Sequence, residues 1–271
     1  MMLVNGTPAQ NIPADDRGLA YGDGVFRTLR TVDGRPLHWA LQYAKLRDDC
    51  DRLAIACPAE ALLQAEVSRA SGEYANAAVK IIVTRGSGPR GYAPPGSPAP
   101  LRMVTSSPLT MPPIPDEGIR VHLCQLRLAH QPALAGVKHL NRLENVLARA
   151  EWQDPEIREG LLLDQDGNAI GGTMSNVFIV ENGRLLTPDL SRCGVVGVTR
   201  DRVMAWSDAE GVGCQVAHLP LQRLLDAGEV FFTNSLIGVW PAASLGRSRW
   251  PASVLGQRIR TALESEDVAA D

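Results

Sequence analysis

Lysine is the residue type whose side chain offers the most distinctive chemistry in this chain. The sequence contains 27 Lys and Arg residues, and only three of them are lysines, at positions 45, 80 and 138. A lysine amine can lose its proton and attack an aldehyde, which a guanidinium cannot do at neutral pH. Spacing alone leaves two interpretations of Lys138 open: a reactive amine at the start of a helix, or an ordinary solvated lysine.

Other familiar catalytic constellations are missing from the sequence. It has no Walker loop, no HExxH motif and no GxSxG motif. The histidines show no metal-ligand spacing, so we interpret them as surface or structural residues and expect no metal site. They are His38, His122, His130, His139 and His218.

Composition and charge narrow the class of partner. Hydrophobic residues make up 45% of the chain and charged residues 21%, which is typical of globular domains. The net charge of −3 favours neither nucleic acid nor an anionic membrane, so a small molecule is the expected ligand. The five cysteines are scattered, no apolar run reaches the roughly 20 residues of a membrane helix, and the N-terminus does not resemble a signal peptide. We therefore expect a cytoplasmic protein.

The N-terminal part of the sequence predicts alternating strands and helices. Strands are predicted at residues 2–5 and 25–32, followed by tight turns at Asn5-Gly6 and Asp33-Gly34. Apolar residues at helical spacing predict an amphipathic helix over residues 39–53, and Pro58 is expected in the first turn of a second helix that ends near Ser71. Further strands are expected at residues 79–84 and 101–105.

Prolines between Ser107 and Gly118 exclude regular structure there, which predicts an interdomain linker at residues 108–117. Because neither half of the chain shows a strict βαβ rhythm, the sequence predicts an α+β (mixed α/β) fold in two domains, residues 1–107 and 118–271. In the second domain we expect strands near residues 119–124, 160–163, 177–180 and 230–233, hairpin turns at Asp166-Gly167 and Asn182-Gly183, and helices at residues 141–152 and 199–209.

Four stretches of the sequence resemble one group of enzymes. Residues 135–144 (AGVKHLNRLE) resemble the segment that carries the Schiff-base lysine in the aminodeoxychorismate lyase family, and residues 17–26 (RGLAYGDGVF) and 85–92 (RGSGPRGY) resemble further motifs of that family. Residues 172–178 (GTMSNVF) are similar to a signature of all fold-type-IV pyridoxal 5'-phosphate (PLP) enzymes, which include branched-chain and D-amino-acid aminotransferases. The resemblance covers nearly the whole chain. It implies a two-domain fold like that of D-amino-acid aminotransferase, with PLP at the domain interface and Lys138 as the catalytic residue in the C-terminal domain.

The resemblance also implies which residues bind the cofactor. Besides Lys138, it points to a phosphate cup at Gly197-Val198-Thr199, where free backbone N–H groups at a helix start suit a dianion. A threonine helix cap after a glycine turn would give the same pattern. Ser235 aligns with a residue that touches the phosphate in relatives. Lys45 aligns with a phosphate-binding arginine of the "H..RL" motif, in which Gln42 takes the place of the histidine.

Substrate contacts are implied at other positions. Arg90 and Tyr92 align with residues that bind the substrate carboxylate from the partner subunit in D-amino-acid aminotransferase, which implies a homodimer whose subunits complete each other's sites. Aminodeoxychorismate carries two carboxylates, so an arginine in this Gly- and Pro-rich loop suits it, but an ordinary exposed arginine would look the same. Arg27, Arg142 and Asn234 are further candidates.

The implied reaction converts aminodeoxychorismate to 4-aminobenzoate and pyruvate, a step of folate biosynthesis. In it Lys138 removes the proton from the ring carbon that bears the amine. The residues that follow Lys138 (HLNR) favour this lyase over its relatives. Two alternatives stay open: a fold-type-IV aminotransferase for D-amino or branched-chain amino acids, and a PLP-binding homologue with little activity.

One position departs from the pattern of the group. Relatives usually carry a Glu five residues before the Asn of "SN.F", where it contacts the pyridine nitrogen of PLP, but this chain has Gly171, and no acid lies between Asp166 and Glu181. Without that carboxylate the pyridine nitrogen holds its proton less firmly and the ring is a weaker electron sink. We hypothesise that Gly171 favours elimination over transamination; the alternative is that another side chain or a water fills the gap.

Overall fold

The structure is a computed structural model that describes residues 1–110, 114–115 and 117–269. Its chain divides into two compact units, which consist mainly of Met1–Met111 with Val137–Asn141 (unit 1) and of Pro112–Gly136 with Arg142–Val268 (unit 2). Lys138 therefore groups with unit 1, whereas the sequence placed it in a C-terminal domain. Of the predicted linker, residues 111–113 and 116 lie outside the described residues.

The described residues of unit 1 form one antiparallel sheet and three helices. Among its described residues, six strands pair in the order β2-β1-β6-β5-β3-β4. The strands are β1 (Met2–Val4), β2 (Thr7–Pro8), β3 (Gly24–Val32), β4 (Arg35–Pro36), β5 (Asn76–Thr84) and β6 (Leu101–Pro108). The helices are α1 (Arg17–Tyr21), α2 (Trp39–Arg52) and α3 (Glu60–Ser71).

The alternation of side chains along β3 explains how unit 1 builds its core. Val25 and Leu29 are fully buried and pack with side chains of α2 and α3, such as Leu46 and Leu63. Arg27 and Thr31 on the same face of β3 are buried too, whereas the alternate residues, from Phe26 to Val32, are only half-buried. Tight turns close the hairpins at Asn5-Gly6 and Asp33-Gly34, where all four residues have positive φ, so both predicted turns are confirmed.

Two predicted boundaries in unit 1 are wrong. Ser107 and Pro108 belong to β6, where they pair with Ala78 and Ala77; a proline is tolerated there because it ends the strand. Helix α3 begins at Glu60 and not at Pro58. Pro58 lies before the helix, and its carbonyl accepts a hydrogen bond of 3.0 Å from the hydroxyl of Tyr43.

Unit 2 contains a mixed sheet and four described helices. Its described strands pair in the order β12-β11-β10-β13-β14-β7-β8-β9, and β15 pairs with β14. The strands are β7 (Ile119–Leu128), β8 (Ile157–Asp164), β9 (Ala169–Gly172), β10 (Asn176–Glu181), β11 (Arg184–Pro188), β12 (Cys214–Ala217), β13 (Glu229–Asn234), β14 (Gly238–Leu245) and β15 (Ser248–Arg249). The helices are α4 (Leu143–Arg149), α5 (Val198–Ala209), α6 (Leu221–Leu225) and α7 (Val254–Ala269).

Both faces of this sheet are covered, which is why β10 is buried along nearly its whole length. Val177 and Ile179 face one core cluster, whereas Phe178 faces a second cluster that contains residues of α5 and α7. The rings of Phe178 and Phe231 stack there with centroids 5.1 Å apart. The pairs β11–β12, β14–β7 and β7–β8 are parallel and the others antiparallel, so the fold is the mixed α/β type that the sequence predicted.

The helix predicted at residues 141–152 is shorter than expected. Helix α4 spans Leu143–Arg149, because the side chain of Asn141 donates to the carbonyl of Gly22 and Trp152 turns its indole N–H toward the carbonyl of Ile157. All five cysteines carry free thiols. In the described parts of the chain, no helix has both the length and the apolar character needed to cross a membrane.

Candidate active site

The sequence had predicted that Lys138 lies at the start of a helix, and this prediction is wrong. Its segment instead pairs with β3 of the unit 1 sheet. The carbonyl of Lys138 accepts the N–H of Phe26, and the N–H of Leu140 donates to the carbonyl of Gly24, both at 2.9 Å. Helix α4 begins only at Leu143. The pairing holds the Lys138 side chain beside β3, with Nζ 4.7 Å from the centroid of the Phe26 ring.

Helix α2 carries Lys45 and, one turn later, the buried Asp49. The carbonyl of Lys45 accepts a hydrogen bond of 3.1 Å from Nη2 of Arg27, and the same guanidinium is bound to the carboxylate of Asp49. Oδ2 of Asp49 also accepts the backbone N–H of Lys138 at 3.3 Å. Two predicted cofactor residues, Lys45 and Lys138, are therefore linked within unit 1 through Arg27 and Asp49.

The predicted phosphate cup lies at the start of α5 in unit 2. Gly197 is the N-cap residue, and no described side chain caps the helix, so the first backbone N–H groups remain available to an anion. The loop before the helix is fixed on two sides. Asn176 accepts the N–H of Gly197 and donates to the carbonyl of Val195, and Gly136 exchanges hydrogen bonds with Gly194 and Val196.

Position 197 has no room for a side chain. A Cβ there would lie 2.3 Å from Oδ1 of Asn176, so glycine is required for the backbone to approach this strand. Thr199 is buried directly after it. A rigid glycine turn that opens a helix of 12 residues fits a phosphate group, and a lysine amine fits an aldehyde, so the residues present fit PLP.

Three further candidates lie in unit 2: Asn234, Ser235 and Arg142. Asn234 uses its side chain locally: Nδ2 donates to the carbonyl of Met174, and Oδ1 accepts the N–H groups of Leu236 and Ile237. Ser235 follows β13 directly and is half-buried. Arg142 is the residue before α4. Their assignment to cofactor or substrate stays a prediction.

The loop that carries Arg90 and Tyr92 is held by Arg17, which the sequence did not suggest as a site residue. Buried Arg17 donates to the carbonyls of Gly91 at 2.9 Å, Tyr92 at 3.0 Å and Ala93 at 3.3 Å. The N–H of Gly91 donates in turn to the hydroxyl of Tyr21. The loop presents the Tyr92 side chain to solvent with 86% of its surface exposed, and Arg90 is exposed beside it.

Asp23 stabilises this arrangement, because its carboxylate binds both Arg17 and Arg85 at 2.8 Å. Burial would raise the pKa of Asp23, but the hydrogen bonds from Arg85 and Arg17 outweigh it and lower that pKa below its usual value. Arg85 also donates to the carbonyls of Leu53 and Ala54. The carboxylate is therefore ionised at neutral pH and fixes the base of the loop.

Glu159 is the acidic residue of unit 2 that sequence reasoning missed. It is fully buried on β8 and accepts hydrogen bonds from the backbone and hydroxyl of Thr173, from the hydroxyl of Ser175 and from the N–H of Gly160, all at 2.6–2.9 Å. It thus shapes the turn before β10, on which the "SN.F" signature lies. A glutamate two residues before the buried apolar run Leu161–Leu163 was the signal in the sequence.

Gly171 lies on β9, next to this turn. A Cβ at position 171 would lie 2.8 Å from the carbonyl oxygen of Ser175, closer than the backbone tolerates. The glycine is therefore explained by local packing, and a glutamate at this position would require the turn to move. The proposed effect of Gly171 on the reaction stays a hypothesis.

Comparisons with known proteins identify the family of the chain. Residues 24–245 match the model of the family described as amino-transferase class IV. The chain belongs to the class IV aminotransferase family. It is 37% identical to an aminodeoxychorismate lyase of Vibrio harveyi over 90% of this chain and 91% of that one.

Two other similar proteins have names that imply different activities. A crystal structure of 4-amino-4-deoxychorismate lyase from Pseudomonas aeruginosa superposes with a TM-score of 0.93, at 41% identity and with 98% of both chains covered. A putative branched-chain-amino-acid aminotransferase of Methanocaldococcus jannaschii is 33% identical over 83% of this chain and 80% of its own. The relatives that resemble this chain therefore include a protein named as a lyase and one named as a putative aminotransferase.

Proposed function

We propose that this class IV protein is an aminodeoxychorismate lyase, which converts 4-amino-4-deoxychorismate to 4-aminobenzoate and pyruvate. The observation that carries the proposal is the 37% identity to the Vibrio harveyi lyase over nine tenths of both chains. The KHLNR sequence after Val137 supports it, since this sequence resembles the lysine segment of that family. The reaction is a step of folate biosynthesis.

The proposed cofactor is PLP. Lys138 would hold its aldehyde carbon, Gly197-Val198-Thr199 and Ser235 its phosphate, and Lys45 would add a positive charge as a point donor without the fork of an arginine. When bound, PLP supplies an electron sink for the carbon that bears the amine of the substrate.

The protein's own contribution is position and proton transfer. Nζ of Lys138 takes the proton from the amine-bearing ring carbon; the C–O bond to the enolpyruvyl group breaks, the ring becomes aromatic, and the released enolpyruvate takes up a proton to give pyruvate. The Arg90 guanidinium suits one of the two substrate carboxylates through charge-assisted hydrogen bonds. Further proposed contacts to the substrate are Tyr92, Arg142 and Asn234. Arg27 is the remaining residue that the sequence suggested as a substrate contact.

A homodimer that acts in the cytoplasm completes the proposal. Its support is the resemblance to dimeric relatives and an apolar surface on α4, where Leu143, Val146 and Leu147 are more than half exposed. We expect a mass of two chains by light scattering, and Leu147→Glu should shift it toward one chain. A wild-type mass of one chain would contradict the dimer.

Two measurements test the function. The first compares pyruvate release from aminodeoxychorismate with formation of pyridoxamine phosphate from bound PLP and alanine. A lyase should release pyruvate, an aminotransferase should form pyridoxamine phosphate, and a binding homologue should do neither.

The second is borohydride reduction with peptide mapping. Label should be found on Lys138 and not on Lys80, a matched control whose Nζ lies 4.8 Å from the same Phe26 ring. Label on Lys45 or Lys80 would overturn the assignment.

A further inference from the structure

Arg27 and Asp49 form a buried ion pair in unit 1. Arg27 is 3% and Asp49 5% exposed, and the guanidinium of Arg27 is bound directly to the carboxylate. Two charges removed from water lose hydration, and this loss often cancels the energy that their attraction returns. Burial raises the pKa of Asp49, although Arg27 opposes the shift. An apolar pair of similar volume would therefore serve folding equally well, which indicates another reason for the charges.

The contacts of the pair supply that reason. Arg27 on β3 holds the carbonyl of Lys45 on α2, and Asp49 on α2 holds the backbone N–H of Lys138. The carbonyl of Lys138 is bound to Phe26, the neighbour of Arg27 on β3. The backbone N–H of Lys138 is thus bound to the helix and its carbonyl to the strand, and Arg27 connects this helix to this strand.

We infer that Arg27 and Asp49 are positioning residues that place Lys138 and Lys45 relative to each other for one cofactor. The inference rests on the proposed function, because it takes Lys138 and Lys45 as the residues that meet the aldehyde and the phosphate of PLP. It gives Arg27 a role different from substrate binding, which the sequence had suggested. Neither residue touches the reacting atoms; both act through the backbone of the two lysines.

The experiment uses the double variant Arg27→Met with Asp49→Leu, which removes both charges and leaves no buried ion alone. Apoprotein stability is measured by denaturant unfolding, and affinity by titration of apoprotein with PLP. We expect an unfolding midpoint close to wild type, because the ion pair returns little net energy and only its hydrogen bonds to the backbone of Lys45 and Lys138 are lost. We expect PLP affinity to fall by about 10-fold or more, as the loss of one hydrogen bond to a charged group implies.

A matched control is a second, partly buried ion pair between a strand and a helix of unit 1, Arg102 and Glu66, with Nη2 and Oε1 2.7 Å apart. This pair connects β6 with α3, and the double variant Arg102→Met with Glu66→Leu should keep wild-type PLP affinity. Asp49→Asn adds a conservative step, because its amide oxygen still accepts the Lys138 N–H. Its PLP affinity should lie between those of wild type and the double variant, and this ordering keeps the inference testable if the double variant does not fold.

Several outcomes would overturn the inference. Wild-type PLP affinity in the folded double variant or in Asp49→Asn would do so, as would an equal loss of affinity in the control pair. A raised KM with unchanged PLP affinity in Arg27→Met would return Arg27 to the substrate site. Failure of the wild-type protein to bind PLP would overturn the proposed function and this inference together, so the two failures are distinguishable.

Discussion

Replacing Gly197 with alanine tests whether the start of α5 binds a phosphate. The new Cβ would lie 2.3 Å from Oδ1 of Asn176, whereas ordinary contacts begin near 3.4 Å, so the two groups must separate by about 1 Å. That oxygen also accepts the N–H of Gly197 at 3.1 Å, and the separation breaks or weakens this hydrogen bond. The substitution therefore displaces the backbone N–H groups that are proposed to bind the phosphate.

The magnitudes follow from these contacts. Loss of the Gly197–Asn176 hydrogen bond costs about 0.5–1.5 kcal/mol of folding stability, and the crowding costs about 1–3 kcal/mol more. For the ligand, one misplaced N–H to a charged phosphate oxygen costs about 1.5–3 kcal/mol. This corresponds to a roughly 10- to 150-fold increase in the Kd for PLP.

The assay compares PLP with pyridoxal, which lacks the phosphate. Apoprotein is titrated with each compound, and Gly197→Ala should weaken PLP but leave pyridoxal binding unchanged. Gly228→Ala is the control in the same unit, because a Cβ there would lie 3.5 Å from the carbonyl of Val180, an ordinary contact. Equal losses for both compounds, or no loss in a folded Gly197→Ala protein, would refute the reasoning.

Three further predictions concern the loops and turns around the site. Arg17→Met should destabilise the protein by about 3–5 kcal/mol and speed amide exchange at residues 91–93; unchanged exchange would contradict the role of the three carbonyl contacts. Arg17→Lys, which keeps the charge beside Asp23, should lose less stability, and equal losses in the two variants would contradict a contribution from the Arg17–Asp23 ion pair. The pKa of Asp23 is lower in the folded protein than its unfolded value near 3.8, so its ion pairs stabilise the fold at pH values above 3.8. This stabilisation is lost as the pH falls through the folded pKa. Asp23→Asn should therefore make the free energy of unfolding less dependent on pH in the acid range. Gly171→Glu should raise the rate of transamination relative to the lyase rate. Gly171→Ala, which also displaces the carbonyl of Ser175, should leave this ratio unchanged. Equal changes of the ratio in both variants would show that backbone movement, and not the carboxylate, is the cause.

Local signals in the sequence predicted much of the fold. The turns at Asn5-Gly6, Asp33-Gly34 and Asn182-Gly183 depend on residues that tolerate positive φ, and the helices from Trp39 and Val198 depend on a repeating apolar face. Such features are encoded within a few neighbouring residues. Helix α7 was not predicted, although its buried Ile259 and Leu263 lie at helical spacing.

The errors concern pairing between distant segments. The sequence around Lys138 resembles a helix start, but its backbone pairs with β3, and no local pattern reports a partner so far away along the chain. Glu159 and Asp49 were missed for the same reason, because their partners at Thr173 and Lys138 lie on other elements. The family motifs located the segments of the site, while the residues that support those segments became visible only through contacts.

The way in which Arg17 holds the loop has a consequence for the evolution and engineering of specificity. All three of its contacts at residues 91–93 are to main-chain carbonyls, which every amino acid possesses. Side chains in this loop can therefore be exchanged without loss of the hydrogen bonds from Arg17, provided that the backbone conformation is kept. We therefore expect libraries randomised at residues 90 and 92 to retain folded members, and these members should differ in substrate preference if the two side chains contact the substrate as proposed.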